Sequence, residues 1–496
     1  MHTYAPFPPV PGADAAEGGP RLLPRVLVLL AVILGAVWFV PSSGVVICAG
    51  LAVYAVRGPK QAIQALTLLA FMLLLGAKGL SLARWVVLFS ACGRMVWDSV
   101  MLGAPTPRVL KPILLFTLIV LVFSFSESRF PLVSVLKGVT FAVGAGTVVV
   151  ALHRTAHLRE YWMAWFFTLG LFILLASFPL YGTQLGYSRN GVGFQGILSH
   201  PQTYGPVVAP FAALLTGLFV FHGVRSWPVL LGSVLAWAGA YTSGARTAIL
   251  AALVGLGITL VVGRFKGRTW QPVIAHALSR SGTLALLFIA CLFAAVQWST
   301  LQEKAMAFLL KDDGVTVTES LVESRSEPIE RSMANFWESP LTGIGFGVPS
   351  DLGAFRAEVG AFGLPVSAST EKGFMPSAVL EETGIVGAGL ILVLLFVLIQ
   401  PVVRYGSIPL FWMLMTCLMV NVGEMFFFAL GASGLYLWLI MGFCHVHAAV
   451  GAPPAGGRAP AFSPPRAVMP VRPGRRPRIA GTGAPGTGAA GLRGGR

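Results

Sequence analysis

Long apolar runs recur along this chain, and no other feature constrains its fold as strongly. The first is "LLPRVLVLLAVILGAVWFV", over residues 22–40. Runs of about 15–22 residues are long enough, or nearly so, to cross a bilayer as helices. Inside hydrocarbon every backbone N–H and C=O must be satisfied by the chain itself, which leaves helices or closed barrels. A barrel would show short alternating strands, whereas these runs are continuous. The composition agrees: 55% of residues are hydrophobic and 11% charged, where a soluble chain carries about 25% charged residues. The predicted fold class is therefore all-α, a polytopic helical membrane protein with about 12–14 transmembrane helices. The crossings centre on residues 22–40, 43–57, 61–77, 80–95, 112–126, 130–151, 161–180, 204–222, 227–243, 246–263, 282–299, 376–400, 406–421 and 424–447. No internal repeat is visible, which argues against solenoids and duplicated transporters.

The segment before the first run is polar, and no small-residue cleavage site follows that run, so it is expected to be retained. The five cysteines, Cys48, Cys92, Cys291, Cys417 and Cys444, all fall inside apolar runs. They read as free thiols packed as small apolar groups. Their spacing suits neither a disulfide framework nor a metal site, and no cofactor is implied.

An even number of crossings puts both ends on one side, and the distribution of Lys and Arg selects the cytoplasm. Inside connections then carry Arg57/Lys60, Arg108/Lys111, Arg154/Arg159, Arg225, Arg264/Lys266/Arg268/Arg280 and Arg404. The organisation is a cytoplasmic N-terminal tail (1–21), a transmembrane bundle (22–299), an extracytoplasmic loop domain (300–375), a second part of the bundle (376–448) and a basic cytoplasmic tail (449–496). The loop holds 11 of the 19 Asp+Glu against six Lys+Arg, the reverse of the inside connections. The net charge of +16 thus reflects topology and the tail, and it does not mark a nucleic-acid partner. The Pro/Gly/Arg-rich tail is expected to be disordered, and it is either a contact for anionic membrane lipids or a plain solvated end.

Unusual residues collect on the predicted outer face. "YTSGARTAIL" (241–250) places Arg246 in the first turn of a helix, with Thr242 or Ser243 as its cap. A helix N-terminus plus a guanidinium suits phosphate or pyrophosphate, and an interface anchor is the alternative. The glycine-rich connection 181–203 carries Arg189 and His200. His200 is the one histidine placed outside, either as a base or as a capping residue. "SEPIERSMANFWESP" (326–340) predicts a short helix with Ser326 as cap and Pro328 in its first turn. Its stripe is Ile329, Met333, Phe336 and Trp337, with Arg325 and Arg331 beside the polar side. The glycines of "LTGIGFGVPS" follow no strand, so they predict a tight loop and not a dinucleotide fingerprint. "STEKGFMPSAVLEETGIVGAGL" puts Glu371 and Lys372 just outside the next crossing and Glu381 and Glu382 within it. Acids at that depth are costly and are functional candidates.

The segments "GILSHPQTYGPVVAP", "TSGARTAIL", "ESPLTGIGFG" and "LEETGIVG", in this order and with a large loop late in the chain, resemble the O-antigen ligase and polymerase superfamily of bacterial cell-envelope glycosyltransferases. The resemblance spans roughly residues 190–390. It implies a fold of glycosyltransferase C type and a metal-independent, inverting transfer. The donor would be a glycan on undecaprenyl pyrophosphate at the outer face of the inner membrane. The acceptor would be a lipid A-core sugar (ligase) or another lipid-linked repeat unit (polymerase). A repeat-unit flippase and a chain-length regulator are the implied protein partners. The family's membrane-edge arginine maps onto Arg246, and its loop arginine onto Arg325 or Arg331. The family's usual histidine before the "E-x-G-x-x-G" helix is absent: Gly373 stands there, next to Glu371 and Lys372. The base is then Glu371, or His200 reaching in, with Lys372 stabilising charge, and this departure favours a polysaccharide polymerase. Two other classes compete. A lipid-linked glycan transporter would use Lys137 and Arg84, which lie inside apolar runs. A structural assembly subunit would need none of these groups.

Overall fold

The computed structural model describes residues 22–450 apart from 41, 189–190, 192, 225, 267–269, 280–316, 352–357, 360–364 and 368–371. Ten helices lead the described chain: α1 (Leu22–Phe39), α2 (Ser43–Ala55), α3 (Pro59–Leu74), α4 (Leu80–Met101), α5 (Leu110–Ser126), α6 (Pro131–Arg154), α7 (Arg159–Ser177), α8 (Pro201–Val220), α9 (Trp227–Thr242) and α10 (Arg246–Phe265). They are followed by α11 (Gln271–Ser279), α12 (Val317–Glu338), α13 (Met375–Tyr405), α14 (Ile408–Glu424) and α15 (Ala432–Val450). Every predicted crossing coincides with one of these helices except 282–299, which lies outside the described residues. Among the described residues, seven helical segments are long and apolar enough to cross a membrane by length and composition. A two-stranded antiparallel pair, β1 (Glu358–Val359) with β2 (Pro365–Ser367), is the departure from an all-helical chain, and it lies in the predicted loop domain.

The helices sort into an inner and an outer set. In α15 the most apolar window is 83% buried and in α8 72%, against 17% in α1 and 28% in α13. α3 is only 16 residues long, yet it is buried over nearly its whole length. Its Gln64 accepts from the Tyr54 hydroxyl at 2.6 Å and donates to the Tyr161 hydroxyl at 2.5 Å. That satisfies the amide where water is absent. The outer helices keep exposed Val, Leu and Phe, as a lipid-facing surface requires. Cys48, Cys417 and Cys444 are buried free thiols and Cys92 is half-buried; Cys291 lies outside the described residues.

Two local expectations are corrected. The helix expected over 326–340 starts earlier, at Val317, so Pro328 lies inside it and Ser326 does not cap it. The run before Ser326 contains no residue that stops a helix, so the helix extends through it. Trp337 leaves the expected stripe and is 70% exposed, while Phe336 is buried. Buried Ser332 and half-buried Asn335 donate to a carboxylate, described below, which sets the inward face of α12 and turns Trp337 out.

Candidate functional site

Helix α13 is broken. Gly384 has φ 61° and ψ −168°, a conformation open to glycine alone. A break inside an apolar helix frees backbone groups that need new partners. The loop after α12 supplies them. Ile385 N donates to the Pro340 carbonyl at 2.9 Å, Val386 N to the Leu341 carbonyl at 3.4 Å, and Ile344 N to the Glu381 carbonyl at 2.9 Å. A side chain on Gly384 would run into the Leu341 carbonyl, and one on Gly343 into the backbone between Glu382 and Thr383. The "LTGIGFG" and "LEETGIVG" segments therefore interlock backbone to backbone.

Four ionic side chains lie beneath this junction. Glu381 is 0% exposed and Glu382 1%. Glu381 accepts from Ser332 Oγ at 2.8 Å, Asn335 Nδ2 at 2.6 Å and Ser350 Oγ at 2.9 Å. Lys372 Nζ is 2.9 Å from Glu381 and 3.4 Å from Glu382. It makes no aligned hydrogen bond, so its tie is coulombic. Glu382 accepts from Lys137 Nζ at 3.0 and 3.2 Å and from Gly347 N at 2.7 Å. The Lys137 ammonium also lies over the Phe346 ring, 4.6 Å from its centre. Two ammoniums face two carboxylates, so the cluster is neutral, and each carboxylate also takes neutral donors. A buried ionic group is tolerated on those terms. The cluster ties α6, α12, the glycine loop and α13 together.

The other two resembling segments, with the Gly193–Phe194 stretch just ahead of the first, form a second junction. Phe194 N donates to the Thr242 carbonyl at 2.9 Å. A Cβ on Gly193 would lie 2.6 Å from the Ser243 carbonyl oxygen, and one on Gly205 2.7 Å from the Ala245 Cβ. His200 is the N-cap of α8, its Nδ1 accepting from Gln202 N at 3.1 Å. The cap expected for α10 is corrected: the N-cap residue is Ala245, with no side-chain cap bond. Ser243 Oγ closes the preceding turn, donating to the Ala240 carbonyl at 2.7 Å and accepting from Ala245 N at 3.2 Å. Ser243 cannot serve both the turn and the helix start. Arg246 opens α10 half-buried, and the space above Gly244 is open.

A short bridge joins the junctions. Thr247, next to Arg246, donates from Oγ1 to Glu424 at 2.6 Å, at the end of α14. The chain then turns through Met425 at φ 51° and brings Phe428 edge-on to Phe346, 5.1 Å between ring centres. All four segments thus meet at one end of the bundle.

Of the residues singled out by sequence, Glu381, Glu382 and Lys372 form the buried cluster. Arg246 and His200 stand at the second junction. Arg331 is exposed on α12, paired with Glu327 and with Asp351 at 3.6 Å. Arg325 lies within α12; Glu371 and Arg189 lie outside the described residues. Sequence reasoning missed Ser332, Asn335, Ser350, Thr247 and Glu424. It noticed Lys137 for another role, and a lysine in one apolar run with two acids in another was the available signal.

Fold and site together define a polytopic helical membrane protein with two interlocked loop junctions at one end. No protein-family model, curated protein or solved structure matches the chain.

Proposed function

We propose that the chain is a membrane glycosyltransferase that moves a glycan from undecaprenyl pyrophosphate to a sugar hydroxyl at the outer face of the inner membrane. The transfer is polymerisation of polysaccharide repeat units, with ligation to lipid A-core as the second reading. One observation carries it: the four segments that resemble the ligase and polymerase superfamily, separated in sequence, pack as two pairs at one end of the bundle. Pyrophosphate leaves as a stable anion, so cationic stabilisation and an acceptor base are the chemical needs. Arg246, at a helix start beside the open space over Gly244, suits the pyrophosphate. Glu371 is the proposed base, since the His200 ring already caps α8 through Nδ1. Of Lys137 and Arg84, the support for a transporter, Lys137 is held by Glu382 in a neutral cluster and Arg84 lies over the Trp85 ring.

The test is conversion of purified lipid-linked repeat units to longer or transferred glycan, with protein level and thermal stability as controls. A guanidinium grips two phosphate oxygens at once and lysine does not. Arg246→Lys is expected to be impaired despite its charge. Arg246→Ala should lose about 2–4 kcal/mol of transition-state binding, roughly 30- to 1000-fold in rate. Near-normal turnover in Arg246→Ala would remove the pyrophosphate assignment.

A further inference from the structure

The opposite end of the bundle holds a pair of guanidiniums that share one carboxylate among the described residues. Arg94 on α4 pairs with Asp98 one turn on, at 3.0 Å, and donates to the Val56 carbonyl at the end of α2, at 3.2 Å. Arg154, at the end of α6, reaches the same carboxylate at 3.4 Å and donates to Ser99. Two guanidiniums therefore share one carboxylate. The Arg154 and Asp98 side chains are 6% and 5% exposed, so that excess charge sits where water screens it little. The Nε atoms of both arginines are buried without a hydrogen-bond partner. Segments 56–60, 94–111 and 153–160 together hold seven Lys and Arg against only Asp98 and Glu160, and Glu160 is already paired with Arg159 at 3.4 Å. No carboxylate within these segments is left to neutralise the Arg94–Arg154 pair.

The excess opens toward lipid at Arg94, whose side chain is 30% exposed. Around it the α2–α4 seam presents exposed Val53, Val56, Trp97 and Met101. An indole at such a position suits the headgroup level of a bilayer. Arg57, one residue past the carbonyl that holds Arg94, leans on the Tyr54 ring, 5.9 Å from its centre. An exposed apolar seam ending in two guanidiniums that share one carboxylate matches an amphiphile with acyl chains and one negative phosphodiester. We infer that the α2–α4 seam binds the headgroup of an acidic phospholipid, with Arg94 as its anchor and Arg57 beside it. The charge excess selects an acidic over a zwitterionic lipid, and the apolar seam selects a lipid over a bare anion.

The experiment titrates the detergent-purified full chain with dioleoylphosphatidylglycerol, dioleoylphosphatidylcholine or inorganic phosphate. It follows the thermal unfolding midpoint and the lipids retained in native mass spectrometry. Phosphatidylglycerol should raise the midpoint and stay bound, and the other two should not. One cation near a membrane surface changes binding about five-fold, so Arg94→Gln should weaken apparent phosphatidylglycerol affinity by about that factor, with Arg94→Lys keeping most of it. Arg57→Gln, which breaks neither ion pair with Asp98, supplies a second variant if Arg94→Gln does not fold, and it should show a similar loss. Equal stabilisation by phosphatidylcholine or by phosphate overturns the inference, as does unchanged phosphatidylglycerol affinity in the folded variants.

Discussion

Replacing Lys137 with methionine tests whether the buried cluster holds the glycine loop to the broken helix. Methionine keeps the length and apolar stem of lysine and deletes the charge. Glu382 would then lose the donor that now reaches both of its oxygens, at 3.0 and 3.2 Å, while remaining 1% exposed. Gly347 N at 2.7 Å and Lys372 at 3.4 Å would remain. Breaking a buried ion pair costs about 3–5 kcal/mol, and the two remaining partners argue for the lower end, about 3 kcal/mol. For a chain this large that lowers the apparent midpoint of thermal unfolding by roughly 5 °C, read by tryptophan fluorescence in detergent. Adding Glu382→Gln removes the orphaned charge and leaves Lys372 with Glu381, still neutral. The double variant should recover at least half of the loss, because the penalty lies in the unpaired carboxylate and not in the missing contact. A Lys137→Met protein that melts like the wild type would refute this, as would a double variant whose loss equals the sum of the two single losses.

Two further outcomes follow from the fold. Gly384→Ala must adopt φ near 61° and would push its Cβ into the Leu341 carbonyl. It should lower the unfolding midpoint clearly, whereas Gly389→Ala, five residues on in the same helix and facing open space, should not; equal midpoints would mean that the loop is not seated in the break. For orientation, a reporter active only outside the cytoplasm should be active when fused after residue 340 and silent after residue 272, and the reverse pattern would invert the proposed topology.

The helices were legible because the bilayer leaves a chain few ways to satisfy its backbone, so length and apolarity nearly fix each crossing. Their ends were less legible where polar residues settle them by tertiary pairing. The crossing expected to stop at 95 continues to Met101 as α4, since Arg94 and Asp98 find partners on neighbouring helices. The last crossing, expected from residue 424, begins at Ala432. Glu424 is held by Thr247, and Phe427 gives its carbonyl to Trp438 Nε1 at 2.7 Å, so the chain between them turns instead of continuing as helix.

The residues that would be costly inside the membrane could be picked from sequence, but their pairing could not. A lysine or a pair of acids in an apolar run announces a cost, and the sequence does not say who meets it. Glu382 is answered by a lysine 245 positions earlier and Glu381 by Ser332, 49 earlier, and nothing in the spacing of a helix reaches so far. The glycines carried a similar half-message. The glycines of "LTGIGFGVPS" predicted a tight loop, yet only the structure shows that Gly343 and Gly384 are each needed where the other's segment packs. That reciprocity also separates the two kinds of residue at this end of the bundle. Glu381, Glu382, Lys372 and Lys137 satisfy one another and hold the junction. Arg246 stands at the edge of the neighbouring junction beside the open space over Gly244, where the proposed reading puts the pyrophosphate.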